Sequence, residues 1–131
     1  MQDLFSNLKI SDFNSRFGSD DECLKFLADK KWVSGFVCRK CGHTNFCAGK
    51  TPYSRRCTRC KHEESATAHT LFHRCHIPIH EAFHVAFMVC HDPEVSTYEL
   101  SRQIETRQMT CWKLKARLME CIREKGKISV V

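Results

Sequence analysis

The spacing of apolar residues predicts a first helix over about residues 20–30. Ser19 and the acidic residues after it fit a helix start, and Gly35 ends the pattern. The stretch before residue 19 is rich in Ser, Asn and Asp and predicts an arm or a short packed lead-in. The apolar face of the helix consists of Cys23, Leu24, Phe26 and Leu27, with Trp32 following it.

Short strand patterns follow at residues 43–48, 53–57 and 62–67, around a turn at 49–52. These patterns predict a small antiparallel unit. It contains too few large apolar residues to be stable by burial alone, so a metal or another constraint must stabilise it.

Three helices are predicted after Pro78. The segment IHEAFHVAFMVC is apolar on nearly every side, which is typical of a buried helix. Ser96 and Glu99 fit a capping box that begins a short helix, and a long basic helix runs from about Arg107 to Lys125, closed by Gly126. Two helices joined by the tight connection at 105–106 have the outline of a helix-turn-helix over about 96–125; an ordinary helical hairpin is the alternative.

Composition limits the function classes. The chain has 131 residues and is 42% hydrophobic, which suits one or two small domains rather than a large enzyme fold. We find no run of eighteen apolar residues and no secretion signal, so we expect a cytoplasmic protein without a membrane partner. Reducing conditions there would keep the ten cysteines as thiols and favour metal binding over disulfides.

Positive charge is concentrated in two blocks. Residues 38–62 carry seven Lys and Arg and no acid, and residues 96–131 carry eight against four. Two basic patches favour a polyanionic partner such as double-stranded DNA, because Lys and Arg near phosphates release condensed counterions. A solvated basic surface is the alternative.

Two Cys-x-x-Cys pairs predict a metal site. Fifteen residues separate the pairs, and a hairpin of that length brings four thiolates, Cys38, Cys41, Cys57 and Cys60, around one tetrahedral Zn²⁺. Four protein ligands leave no open position, so this zinc is structural; a redox pair or unrelated thiols remain alternatives. We interpret Cys47 as a small strand residue and the other cysteines as small buried residues.

Histidines between His69 and His84 form a second possible metal cluster. His80-Glu81-Ala82-Phe83-His84 also matches the zinc-protease pattern. A protease needs a third ligand and a substrate cleft, and this pattern lies on an apolar helix of a short chain. We favour a surface or core histidine pair.

The basic blocks supply candidate DNA contacts. The amino end of a second helix reads base edges in a helix-turn-helix, with phosphate contacts further along, and Trp112 is expected at the edge of the helical core. Ribbon cations would face phosphates, simple solubility being the alternative. The expected base contacts are Arg107, Gln108, Thr110 and Lys113, and the expected phosphate contacts are Lys115, Arg117, Arg55, Arg56, Arg59 and Lys61.

The order of these parts resembles the N-terminal region of IS1595-type (ISXO2-like) transposases, a zinc ribbon before a helix-turn-helix. The residues that carry the resemblance are DDECLKFLADKKWVSGFVCRKCGHT, YSRRCTRCKHEESATAHTLFH and LSRQIETRQMTCWKLKARL. It implies binding to transposon end repeats, a bacterial nucleoid location, and a homodimer or separate catalytic subunit as protein partner. Two departures are Glu105-Thr106-Arg107, where a Gly-containing turn is expected, and His69, where Gly is usual.

We therefore expect a small α+β protein with an N-terminal arm and helix (1–33), a zinc ribbon (34–67) and a helical domain (68–131). The resemblance implies that a DDE-type nuclease domain follows in complete members. It would begin where this sequence ends, so we expect a DNA-binding protein and not an enzyme. The alternatives are a protein-interaction module or a transcription regulator.

Overall fold

A computed structural model describes residues 5, 8–73, 75, 77–104 and 107–125. Within these ranges the elements run helix, helix, three strands, then three helices. They are α1 (Ile10–Arg16), α2 (Asp20–Lys31), β1 (Phe46–Ala48), β2 (Arg55–Cys57), β3 (Glu63–Glu64), α3 (Ile79–His91), α4 (Thr97–Ile104) and α5 (Gln108–Lys125). The small α+β fold is thus confirmed, as are the predicted helices.

The segment before α2 is a packed lead-in. Phe5, Phe13 and Phe17 are all buried, and each ring contacts the others within 5.5 Å between centroids. The Phe5 ring also lies 5.5 Å from that of Phe83 in α3, and the Phe13 ring 4.5 Å from that of Phe87. Aromatic burial therefore fixes the start of the chain to α3.

The ribbon sheet is antiparallel in the order β1-β2-β3. Phe46 pairs with Cys57 and Ala48 with Arg55, so the β1–β2 hairpin surrounds the predicted turn. The strands are shorter than predicted because turns take up the flanking residues: the Ser54 amide donates to the Thr51 carbonyl before β2, and the Ala68 amide donates to Ser65 Oγ after β3.

Helices α3, α4 and α5 pack against one another. The core face of α5 consists of Cys111, Leu114, Leu118 and Cys121. The Ser96 hydroxyl accepts from the Glu99 amide at 3.1 Å, as predicted, while the Glu99 carboxylate accepts from Arg102 and Gln103. The predicted connection at Glu105-Thr106 and the end at Gly126 lie outside the described residues.

Candidate metal centre and nucleic-acid interface

The four cysteines of the two Cys-x-x-Cys pairs converge at one end of the ribbon. Their sulfur atoms all lie within 4.8 Å of one another. Across the pairs, Cys38 Sγ is 3.5 Å from Cys60 Sγ, and Cys41 Sγ is 3.5 Å from Cys57 Sγ. A tetrahedral zinc ion with bonds of about 2.3 Å requires sulfurs about 3.8 Å apart, so this donor set fits zinc.

Main-chain amides favour the thiolate form of two of these cysteines. The Lys40 amide donates to Cys38 Sγ at 3.4 Å, and the Arg59 and Cys60 amides donate to Cys57 Sγ at 3.4 and 3.5 Å. Burial raises the pKa of Cys57, but these amide hydrogen bonds, together with those from the Cys41 and Cys60 thiols, outweigh it and lower the pKa from 9.0 to about 6. Because zinc binds thiolates, the backbone prepares the site for the metal.

The backbone makes the same turn at both cysteine pairs. The Gly42 amide donates to Cys38 O at 2.8 Å and the Lys61 amide donates to Cys57 O at 3.1 Å. Both residues are left-handed, with φ of 79° for Gly42 and 68° for Lys61. Glycine adopts this conformation at little cost, and Lys61 adopts the same turn without the freedom of glycine.

This geometry is that of a zinc ribbon. Residues 18–63 match the family described as the transposase zinc-ribbon domain. The match spans α2 and the sheet up to the first residue of β3, a little over a third of the chain, so the predicted resemblance is confirmed over these residues. No curated protein matches the chain. No solved structure matches it either.

Two arginines of the transposase-type ribbon, Arg55 and Arg56, contact other side chains of the same chain. The Arg55 guanidinium lies over two rings, 4.6 Å from the Trp32 centroid and 4.1 Å from the Phe46 centroid. Arg56 pairs with Glu63 at 3.1 Å. These contacts place both head groups against the ribbon surface.

The cations at the cysteine turns are more accessible. Arg59 and Lys61 are both exposed, and the Lys61 ammonium donates to the Thr58 carbonyl at 3.3 Å. Arg39 is also exposed, although its guanidinium donates to Glu64 at 2.9 Å. Positive charge is therefore presented beside the metal site.

Along α5, the predicted contact residues divide into two groups. Arg107, Gln108 and Lys113 are exposed, and Thr110 is half-buried. Further along the helix, Lys115 Nζ donates to the Val95 carbonyl at 2.6 Å.

Arg117 also binds within the chain. It donates to the carbonyls of Leu71 and His73, at 3.1 and 2.6 Å. Like Lys115, it therefore connects α5 to neighbouring loops rather than presenting an open head group.

Trp112 differs from its prediction. It was expected at the edge of the helical core, yet it is 57% exposed, and Met109 one turn earlier is 61% exposed. Together with Thr97 and Gln108 they line a surface recess of about 300 Å³.

The structure contains a buried ion pair beside the ribbon, Lys31 with Glu64, that the sequence analysis did not predict. The side chains of Lys31 and Glu64 are 2% and 5% exposed, and their charged atoms lie 2.6 Å apart. Lys31 Nζ also donates to the carbonyls of Ser65 and Ala68. The sequence carries no signal for this role, because neighbouring Lys30 is identical in type and exposed.

The histidine cluster forms no second metal site among the described residues. Among these residues, the four cysteines are the only group of three or more ligands close enough to share an ion. His76 is not one of the described residues. His80 Nδ1 and the His80 amide both bind Asp20 Oδ1, at 2.7 and 2.9 Å. His84 is half-buried, and burial lowers its pKa. These contacts fit the predicted surface or core pair.

Within the described ranges, no helix has both the length and the apolar character needed to cross a bilayer.

Proposed function

We propose that this chain binds duplex DNA as the ribbon and helix-turn-helix part of a transposase-type protein, recognises transposon end repeats, and performs no strand cleavage itself. The observation that carries the proposal is a four-thiolate cluster inside a match to the transposase zinc-ribbon domain. One structural zinc ion per chain completes the ribbon. Duplex binding would place the protein with the bacterial nucleoid.

The arrangement of α4 and α5 supports the DNA-reading part. Three residues, 105–107, separate the two helices. The face of α5 that carries Cys111, Leu114 and Leu118 is buried against α3 and α4. The amino end of α5 is left solvent-facing, which is where a reading helix meets base edges. Arg107 suits guanine, Gln108 suits adenine, and Lys113 can reach either a base or a phosphate.

The ribbon supplies a second basic surface. Arg59 and Lys61 present cations beside the metal site, where they can contact a phosphate backbone; Lys61 would exchange one exposed hydrogen bond, to the Thr58 carbonyl. Arg55, Arg56, Lys115 and Arg117 would have to leave intramolecular partners first, so we place them outside the initial contact set.

We propose that this chain does not cleave DNA because of the kinds of metal ligands that it brings together. DDE-type transfer needs clustered carboxylates that hold divalent ions. Among the described residues, the only group of three or more potential ligands within reach of one ion is the cysteine cluster. A separate catalytic subunit would supply the chemistry; a homodimer is the other proposed assembly.

A salt titration tests the proposal. A site is first selected from a random duplex library with the zinc-loaded chain, and affinity is then measured from low to high salt. We expect log affinity to fall linearly with log salt, and Arg107→Ala or Lys113→Ala to weaken the selected site about tenfold or more while affecting random duplex less. Lys25→Ala, an exposed charge on α2, is the matched control.

A protein-interaction module is the second candidate. Three large apolar residues around the ribbon are exposed, Val33 at 79%, Val37 at 58% and Phe46 at 44%. Apolar exposure of this kind is typical of docking surfaces. Affinity for duplex that does not change with salt, together with unchanged binding by the two α5 variants, would favour this candidate over DNA recognition.

A further inference from the structure

Two large apolar side chains lie at the amino end of α5, where a DNA-binding helix is expected to have polar side chains that contact base edges. Met109 and Trp112 are one turn apart, 61% and 57% exposed, and they line the recess with Thr97 and Gln108. Core packing does not account for them, because the buried residues Cys111, Leu114 and Leu118 lie on the opposite face of the helix.

The α5 side of the recess is cationic. From Arg107 to Lys113 the chain carries two positive charges and no acid. A second copy seated symmetrically on the recess would bring two such basic rims together, which repulsion disfavours. A polyanion that also presents apolar groups matches the surface better.

The major groove of DNA has this character. Its phosphates are negative, and its one apolar feature is the C5-methyl group of thymine, which protein side chains recognise by apolar contact. Met and Trp are the accessible apolar groups of this helix end, and Gln108 beside them can bind the adenine paired with a thymine.

We propose that Met109 and Trp112 contact thymine methyl groups in the major groove and give the chain a preference for thymine at positions under the amino end of α5. This inference rests on the proposed function and adds specificity-determining residues to it. The recess formed with Thr97 accommodates the methyl group, and the flanking cations bind the adjacent backbone.

Uracil substitution tests the proposal without altering the protein. The site selected from the random library is resynthesised with uracil in place of thymine, which removes only the C5-methyl group. We expect the zinc-loaded chain to bind the uracil duplex about fourfold more weakly for each methyl group that these side chains bury. Trp112→Ala and Met109→Ala should bind the thymine and uracil duplexes with more nearly equal affinity.

Met119→Ala is the matched control. It removes the same type of side chain from the same helix, about 15 Å along the axis from Met109 and 36% exposed. It should keep the full preference for thymine.

Four results would overturn the proposal: a library that yields no preferred sequence, a selected site without thymine, equal binding of both duplexes by the unaltered chain, or full discrimination by Trp112→Ala. Sedimentation of the same proteins adds a fifth: if Trp112→Ala abolishes self-association while discrimination persists, the recess binds a second copy. Equal binding of the two duplexes with a linear salt dependence would leave the proposed function intact. Failure to bind any duplex would remove both.

Discussion

His69 holds a left-handed backbone, with φ of 59°, although it carries a side chain. The side chain is exposed, and its ring stacks on His73 at 5.7 Å between centroids. A non-glycine residue in this region costs about 1–2 kcal/mol, so the chain tolerates strain here that glycine would relieve.

We expect His69→Gly to raise the free energy of unfolding by about 1 kcal/mol, because the relief of strain exceeds the loss of an exposed ring contact. Urea denaturation of the zinc-loaded protein measures the change. His62→Gly is the control: His62 is equally exposed but not left-handed, so the same substitution there should lower stability. Equal effects at both positions would contradict the assignment of strain.

Lys31 joins α2 to the segment after the ribbon. Its ammonium lies between the Glu64 carboxylate and two main-chain carbonyls, with almost no access to water. Burial lowers the pKa of Lys31, and the interaction with Glu64 opposes this change. Removing one member of such a pair leaves the other charge poorly compensated.

We expect Lys31→Met to lower the free energy of unfolding by about 3 kcal/mol. The double variant Lys31→Met/Glu64→Leu should recover part of this loss, because it removes a buried carboxylate whose remaining partner is the exposed Arg39. Thermal or urea unfolding provides the measurement, with Lys25→Met, an exposed lysine of the same helix, as the control. Indistinguishable stability of the two single variants would show that the buried pair contributes little.

Residue roles could be predicted from the sequence where local spacing imposes them. Two Cys-x-x-Cys pairs place four sulfurs together whatever the rest of the chain does. Lys30 and Lys31, or Arg55 and Arg56, are identical in type, and only tertiary contacts decide which one is buried or stacked. The pattern of residues therefore predicted that these four sulfurs lie together and could not predict the buried lysine.

At the scale of elements, α3 receives its cap from another helix. Pro78 precedes α3 and provides no side-chain cap. The Asp20 carboxylate, at the start of α2, accepts from the His80 amide and from the His80 ring. The first turns of α2 and α3 are thus fixed to each other by one carboxylate.

This cap should make stability depend on pH. Burial raises the pKa of Asp20, but the hydrogen bonds and the charge of His80 outweigh it and hold the pKa below 3.8. A carboxyl group whose pKa is lower in the folded state stabilises the fold above its unfolded pKa, and this contribution disappears as pH falls through the folded pKa.

We therefore expect Asp20→Ala to cost about 1 kcal/mol at pH 7 and progressively less as the pH is lowered below 3.8. Urea unfolding at several pH values measures the difference from the unaltered chain. Asp29→Ala, an exposed acid at the other end of α2, should have a small effect at every pH. A cost for Asp20→Ala that is constant down to pH 3 would contradict the account.

Element bounds were predictable because periodicity, capping residues and helix-stopping residues are local signals. The exposure of Trp112 was not, because size and apolarity alone assign a tryptophan to a core. On an α-helix the position two before Leu114 lies on a different face, and the outcome depends on which face the neighbouring helices cover.

At the scale of the whole molecule, one hydrophobic cluster runs through the lead-in, the ribbon and the helices. Cys38 and Cys57 belong to it as well as to the metal site. Around this cluster, hydrogen bonds connect residues far apart along the chain, such as Lys31 with Ala68 and Arg117 with His73. No local pattern encodes these pairings, so the placement of the ribbon against the helices could not be predicted.

Metal removal should therefore affect more than the ribbon. Structural zinc contributes roughly 10–16 kcal/mol in small zinc modules, and the ribbon has little core to replace it. We expect elemental analysis to find one tightly held zinc ion per chain, and chelation to abolish duplex binding and lower the unfolding temperature of the remaining helices.

Two cysteine variants separate metal loss from thiol loss. Cys57→Ser should lose zinc and behave like the chelated protein. Cys47→Ser removes an exposed cysteine of the same hairpin and should keep one zinc ion and full binding. Retention of zinc by Cys57→Ser would contradict the four-thiolate assignment.

In both cysteine turns, hydrogen bonds to sulfur come from main-chain amides, including those of Lys40 and Arg59. The side chains of these two residues are exposed. Their identities can therefore change during evolution without loss of metal affinity. If the chain binds DNA as proposed, related proteins could differ in their nucleic-acid preference through the side chains at these turn positions while keeping the same metal-binding backbone.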